Sequence, residues 1–164
     1  MWTIELISRQ PTHLPAARRL VEEYLRLPDA WAHRGGPPRQ LPSPFVEELT
    51  RLPEPAVPPH GEISVAVDEG GAAFAVGLLV PYDGAQAEIK RLYVRTPHRG
   101  QGAGTALTEV LVSVARDLGY RGVVLDVMAS RRQAARLYER AGFVPIAPYH
   151  EHGAVEMRAY RLAL

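Results

Sequence analysis

Apolar and polar residues alternate over residues 2–8, the period-two signature of a strand. The period then lengthens. Leu14, Ala17, Leu20, Val21, Tyr24 and Leu25 fall on one face of a helix that a cap at Thr12 would start and that runs to about Arg26. Residues 27–44 are dense in proline and glycine and read as an irregular loop. At its end Ser43 offers a cap and Pro44 a first-turn proline for a short helix through Leu52. A second proline-rich connector leads to two apolar strands, 62–68 and 72–80, joined as a hairpin through Glu69, Gly70 and Gly71. Another strand covers 87–94. A helix from about Gly102 to Leu118 is stopped by Gly119, and residues 122–128 form a strand. Ser130 is in place to cap a helix to Ala141, and residues 143–149 and 155–162 form two last strands.

An early meander followed by strand–helix units predicts a mixed α/β (α+β) sheet with helices on both faces, because a strictly doubly wound sheet would alternate more regularly. At 164 residues, with no linker long enough to part it, the chain is expected to be one domain, 1–164. The net charge of +1 argues against electrostatic binding to nucleic acid or to a membrane surface. The absence of cysteine removes disulfides and thiolate chemistry. No apolar run approaches the roughly 20 residues of a membrane span, so a cytoplasmic protein is the expectation.

The densest chemical signal is VRTPHRGQGAGTAL, beginning at Val94, where a strand hands over to a helix. A helix N-terminus carries unpaired N–H groups and a partial positive charge, and glycines let the backbone approach an anion closely. Arg99 adds a guanidinium fork. The stretch is therefore a candidate phosphate cradle; the alternative is a glycine turn that only connects two elements. It is neither GxxxxGK[ST] nor GxGxxG, since no lysine follows the glycines and Gly102 is not followed by the required third glycine.

Arg99-Gly100-Gln101-Gly102-Ala103-Gly104 does fit [Arg/Gln]-x-x-Gly-x-[Gly/Ala]. With it the sequence resembles the GCN5-related N-acetyltransferases, which use acetyl-CoA. The likeness extends to EIKRLYV before the loop and to ARLYERAGFVPIAPY some 35 residues further on. It covers residues 88–149; the N-terminal quarter carries no motif. The resemblance implies the acyl-CoA N-acyltransferase fold: a mostly antiparallel sheet of about seven strands flanked by about four helices. It implies acetyl-CoA as co-substrate, no metal, and transfer of the acetyl group to a primary amine of a small molecule, an amino acid or a peptide, by direct attack. A protein N-terminus or lysine as acceptor, or a coenzyme A-binding sensor without turnover, are the alternatives, and the chain is expected as monomer or homodimer.

By the same resemblance, the backbone N–H groups of Arg99, Gly100, Gln101, Gly102, Ala103, Gly104 and Thr105 take the pyrophosphate. Leu92, Tyr93 and Val94 pair with the pantetheine arm, and Val94 N–H lies near the thioester oxygen. Tyr138, in Leu-Tyr-Glu-x-x-Gly-Phe, is the acid for the leaving thiolate; otherwise it is a core residue at helical spacing. Glu88 is the base; otherwise it is a carboxylate paired with Lys90 or Arg91. Simple alternation would put Glu88, Lys90, Leu92 and Val94 on one face, unless a bulge of the kind frequent in the family shifts it. Arg131 stands where many members have asparagine. Ser130 and Arg131 therefore either approach the coenzyme or serve as cap and solvated cation.

Glu22, Glu23 and Tyr24 lie on the helix that walls the acceptor pocket in such proteins, and Trp31 and His33 on the loop after it. His150 and His152 share a strand face, but two histidines without a third ligand make a poor metal site, and they read as a loop near the substrate entrance.

Overall fold

Two aspartates set the hairpins on which the sheet is built. Asp68 Oδ1 accepts the N–H groups of Gly70 and Ala72, both at 2.9 Å, and Asp83 Oδ1 those of Ala85 and Gln86, both at 2.7 Å. Each carboxylate replaces backbone partners that the tight turn cannot supply. In the computed structural model, which describes residues 1–164, the strands on either side pair into one sheet. Its strands are β1 (Trp2–Leu6), β2 (Glu62–Asp68), β3 (Ala73–Pro81), β4 (Gln86–Val94), β5 (Gly122–Met128), β6 (Val144–Ile146) and β7 (Met157–Ala163). The order is β1-β2-β3-β4-β5-β7-β6, and every pairing is antiparallel except β4 with β5.

Helices α1 (Leu14–Leu25) and α2 (Ser43–Arg51) cover one face; α3 (Ala103–Asp117) and α4 (Arg132–Arg140) cover the other. Leu20, Val21 and Leu25 of α1 pack on Ile63, Val65 and Leu78. Leu111 and Ala115 of α3 and Ala135 of α4 pack on Leu79, Ile89 and Leu125. With both faces covered, β3 is buried along nearly its whole length, which is why it reads as an unbroken apolar run rather than an alternation. Gly77, in the middle of β3, lets the layers close: a Cβ there would come within 2.9 Å of both Leu111 and Leu92. No helix is long and apolar enough to cross a membrane.

Several expected boundaries move. A 3₁₀ turn (Pro11–His13) precedes α1, and Thr12 makes no side-chain cap; Pro15, which needs no N–H partner in the first turn, marks the start instead. Ser43 is the first residue of α2, with Pro42 at the cap position. Arg131, not Ser130, occupies the cap position of α4, and no side chain caps it. The segment expected to be irregular contains a 3₁₀ helix, Pro28–Arg34, anchored by Trp31, whose ring nitrogen donates to Leu25 O at 2.7 Å. The strand expected over 143–149 shrinks to β6, an edge strand holding Pro145; proline has no N–H to give to a ladder.

Leu111 is fully buried between α3 and the sheet. Leu111→Ala is expected to lower unfolding free energy by about 2–5 kcal/mol, seen as a lower urea midpoint at unchanged slope.

Candidate active site: the parting of two strands

β4 and β5 stay in register only over Gln86↔Gly122, Ala87↔Val123 and Glu88↔Val124, although β4 continues to Val94 and β5 to Met128. Beyond Glu88 the two strands part, leaving the far half of β4 with an unpaired edge inside the sheet. A bulge lies in that half. The β3–β4 register slips between Val76↔Tyr93 and Leu78↔Lys90, and Arg91 takes a left-handed φ of 55°, a conformation that costs a non-glycine residue on the order of 1–3 kcal/mol.

What holds Arg91 there is a fork on Glu48 of α2, Nε to Oε1 at 2.8 Å and Nη2 to Oε2 at 2.6 Å, with the guanidinium also over the rings of Tyr24 and Phe45. Burial alone would destabilise its charge, but Glu48 outweighs that and holds the guanidinium above its usual range; Glu48, against the same burial, stays below the carboxylate range. The bulge re-sorts the strand. Arg91 and Tyr93 face α1 and α2 alongside Glu88 and Lys90, whereas Ile89, Leu92 and Val94 face α3. Simple alternation fails at this one residue.

At the end of β4 the chain turns through Thr96–His98 into α3. Arg95 forks onto Glu23 of α1, at 2.9 and 2.6 Å, and Arg99 Nε donates to Val94 O at 2.9 Å. His98 stacks on Phe74 with 4.2 Å between ring centres. Gly100 and Gly102 both have positive φ, 77° and 86°, and no side chain caps α3. The N–H of Arg99 goes to Thr96 O and that of Ala106 to Gly102 O; those of Gly100, Gln101, Gly102, Ala103, Gly104 and Thr105 reach no protein acceptor. Six free donors at a helix N-terminus form a socket for a phosphate-sized anion.

Tyr138 of α4 is buried against Phe143 and Tyr160. Desolvation pushes its phenol well above the usual range, with Tyr24, Arg131 and Asp126 close enough to act on it, so the hydroxyl stays protonated. Arg131 does not reach toward the α3 socket. Its fork holds Asp29 at 2.8 and 2.9 Å and its guanidinium lies 4.9 Å over the Tyr24 ring, tying the 3₁₀ segment to the β5–α4 turn. The hydrogen bond to Arg131 is the main reason Asp29 sits below the usual range. Ser130 is exposed at the same turn.

Where the strands begin to part, Glu88 is buried and its Oε1 accepts from the Tyr149 hydroxyl at 3.0 Å and meets His150 Nε2 at 3.2 Å, while Lys90 Nζ stands 3.8 Å from Oε2. Burial, then the charge of Glu88, drives the Tyr149 phenol far upward. His152 Nε2 is 2.6 Å from Asp126 Oδ2. Glu88, Asp126 and His150 bring polar atoms within 4.8 Å of one another. Two carboxylates thus join the histidine pair that the sequence left without a further partner, and all are engaged in hydrogen bonds among themselves. Asp126 and Tyr149 escaped the sequence reading; the one signal for Asp126 was a lone acid in the apolar run GVVLDVM. On the α2 side a cavity of about 250 Å³ is lined by Glu47, Glu48, Arg51, Leu78, Val80 and Lys90 among others.

A fission yeast protein (Schizosaccharomyces pombe) described as an uncharacterized N-acetyltransferase is 38% identical over 96 residues, 58% of this chain and 59% of its own. The rat (Rattus norvegicus) N-acetyltransferase family 8 member 2 is 36% identical over 94 residues, 55% of this chain and 42% of its own. The chain thus spans only about half the length of these relatives. Among solved structures, an acetyltransferase from Streptococcus agalactiae superposes with a TM-score of 0.76 at 19% identity, over 99% of this chain and 98% of that one. A GNAT-family acetyltransferase from Staphylococcus aureus gives 0.75 at 14% identity over 99% of each. These likenesses establish the acyl-CoA N-acyltransferase fold, and a family model matches residues 19–143. The chain belongs to the acetyltransferase (GNAT) family.

Proposed function

We propose that the protein transfers an acetyl group from acetyl-CoA to a primary amine of a small molecule, an amino acid or a peptide, by direct attack within a ternary complex. The observation that carries this is the pairing of six unpartnered N–H groups at the start of α3 with an unpaired β4 edge that leads away from them. Their chemistry fits coenzyme A: N–H groups and a helix dipole for a pyrophosphate, an open strand edge for an amide-bearing arm.

In this reading residues 100–105 hold the pyrophosphate, and the backbone of Leu92, Tyr93 and Val94 pairs with the pantetheine arm. Arg99, fixed on Val94 O, brings positive charge to the same turn. Acetyl-CoA, when bound, supplies the thioester whose carbonyl an amine can attack. The N–H of Val94 donates to the thioester oxygen as negative charge grows on it. Tyr138, un-ionised because it is desolvated, donates its proton to the departing sulfur. We assign Arg131, its charge already matched by Asp29, to the wall of the cleft rather than to the phosphates, with exposed Ser130 beside it.

The decisive assay is release of free thiol from acetyl-CoA in the presence of amines: ethanolamine, spermidine, a set of amino acids and a short peptide. Release with one or more is the expected result; coenzyme A binding without release in any mixture would identify a sensor instead. Tyr138→Phe is expected to lower kcat by about 100-fold or more, at unchanged coenzyme A affinity and thermal stability. Gly102→Val meets no steric block but must adopt a left-handed φ, which costs on the order of 1–2 kcal/mol. Titration calorimetry is expected to show coenzyme A binding weakened by about tenfold.

A further inference from the structure

We infer that His150, oriented by the buried carboxylate of Glu88, is the group that takes the proton from the acceptor's ammonium; the inference rests on the transfer reaction proposed above. Sequence resemblance points to Glu88 itself as base, directly or through water; we give that part to its neighbour. The Glu88 side chain is 5% exposed, and Oε1 already meets both the Tyr149 hydroxyl and His150 Nε2. His150 is 39% exposed and is the member of this pair that reaches solvent and an incoming acceptor.

This role requires the tautomer in which Nε2 donates to Glu88 and the lone pair lies on Nδ1, a nitrogen with no hydrogen bond in the structure. The ring is held between Tyr149, 4.6 Å between centres, and Tyr82, 6.0 Å, and meets the edge of His152 at 6.0 Å. The charged and titratable groups around it are Glu88 and Lys90 from β4, Asp126 from β5, Tyr82 from the β3–β4 turn, and Tyr149, Glu151 and His152 from its own loop. Two of these, Glu88 and Asp126, are carboxylates that stabilise an imidazolium. Glu88 is also the last β4 residue paired with β5, so the pair stands where the gap opens. In the step itself an N–H bond of the ammonium breaks, the electron pair stays on nitrogen, and the proton forms a bond to Nδ1 of His150. The imidazolium then passes a proton to water. Glu88 acts through His150 and is a positioning residue.

The test compares wild type with His150→Gln, whose amide N–H can still reach Glu88 but which has no basic nitrogen. With a primary alkylamine accepted by the wild type, kcat/KM is expected to fall by about 100-fold. The acid limb of the pH–rate profile is expected to change as well, because glutamine has no basic nitrogen to be protonated. With methoxyamine, already neutral at the assay pH, the loss is expected to be far smaller. A variant that keeps the wild-type rate and acid limb, or that loses equally with both amines, overturns the assignment. If His150→Gln is unstable, His150→Ala with added imidazole carries the same test: restored turnover supports it and no restoration overturns it. A wild type that turns over no amine at all brings down the transfer reaction itself. An active wild type matched by the variant brings down only the role of His150.

Discussion

A strand inside a sheet normally has both edges paired, because a buried N–H or C=O left without a partner is costly. β4 departs from this after Glu88: its partner β5 turns away, and the edge from Ile89 to Val94 is left open in the middle of a seven-stranded sheet. The arrangement holds because the two faces of β4 are fixed independently. Arg91, half-buried and forked onto Glu48, pins one face to α2, and Leu92 fits beside the bare Gly77 on the other. Without those two anchors the parallel ladder could run on and close the gap.

The rest of the site is arranged around that opening. α3 begins at its far end with a row of N–H groups that have no partner within the protein. α4 brings a phenol that desolvation keeps protonated. The loop before β7 brings two histidines, each against a carboxylate on one of the parting strands: His150 on Glu88 of β4, His152 on Asp126 of β5. Acid and base candidates thereby come from separate elements, α4 and the loop before β7, with Asp126 near enough to influence both Tyr138 and Tyr149.

Three arginines give the cleft rigid walls. Arg91 ties β4 to α2, Arg95 ties the loop after β4 to α1, and Arg131 ties the β5–α4 turn to the 3₁₀ segment after α1. Each is a two-point fork, which fixes orientation as well as distance, as a lysine could not. The charges of these arginines are answered internally. Lys90, the only lysine in the chain, stands beside the cavity on the α2 side with a buried carboxylate 3.8 Å away.

The sequence by itself determined the element order, the hairpins, the glycine turn into α3 and the position of Tyr138, because these depend on local periodicity, turn chemistry and a motif whose parts are close along the chain. It also named Glu88. It left open whether a bulge would break the alternation along β4, since a bulge is settled by which side chain finds a partner, and the partner of Arg91, Glu48, lies 43 residues away. It left Arg131 between two roles and gave no sign of its fork on Asp29, 102 residues distant. It passed over Asp126, and it set the histidine pair near the substrate entrance without giving it a partner, because nothing local distinguishes a lone acid in a strand or a histidine in a loop from its solvated equivalents. Only the tertiary structure joins β4, β5 and the loop before β7 at one point. A hydrogen bond between side chains on separate strands is a property of the sheet's register, and register is fixed by the whole core rather than by any stretch of sequence.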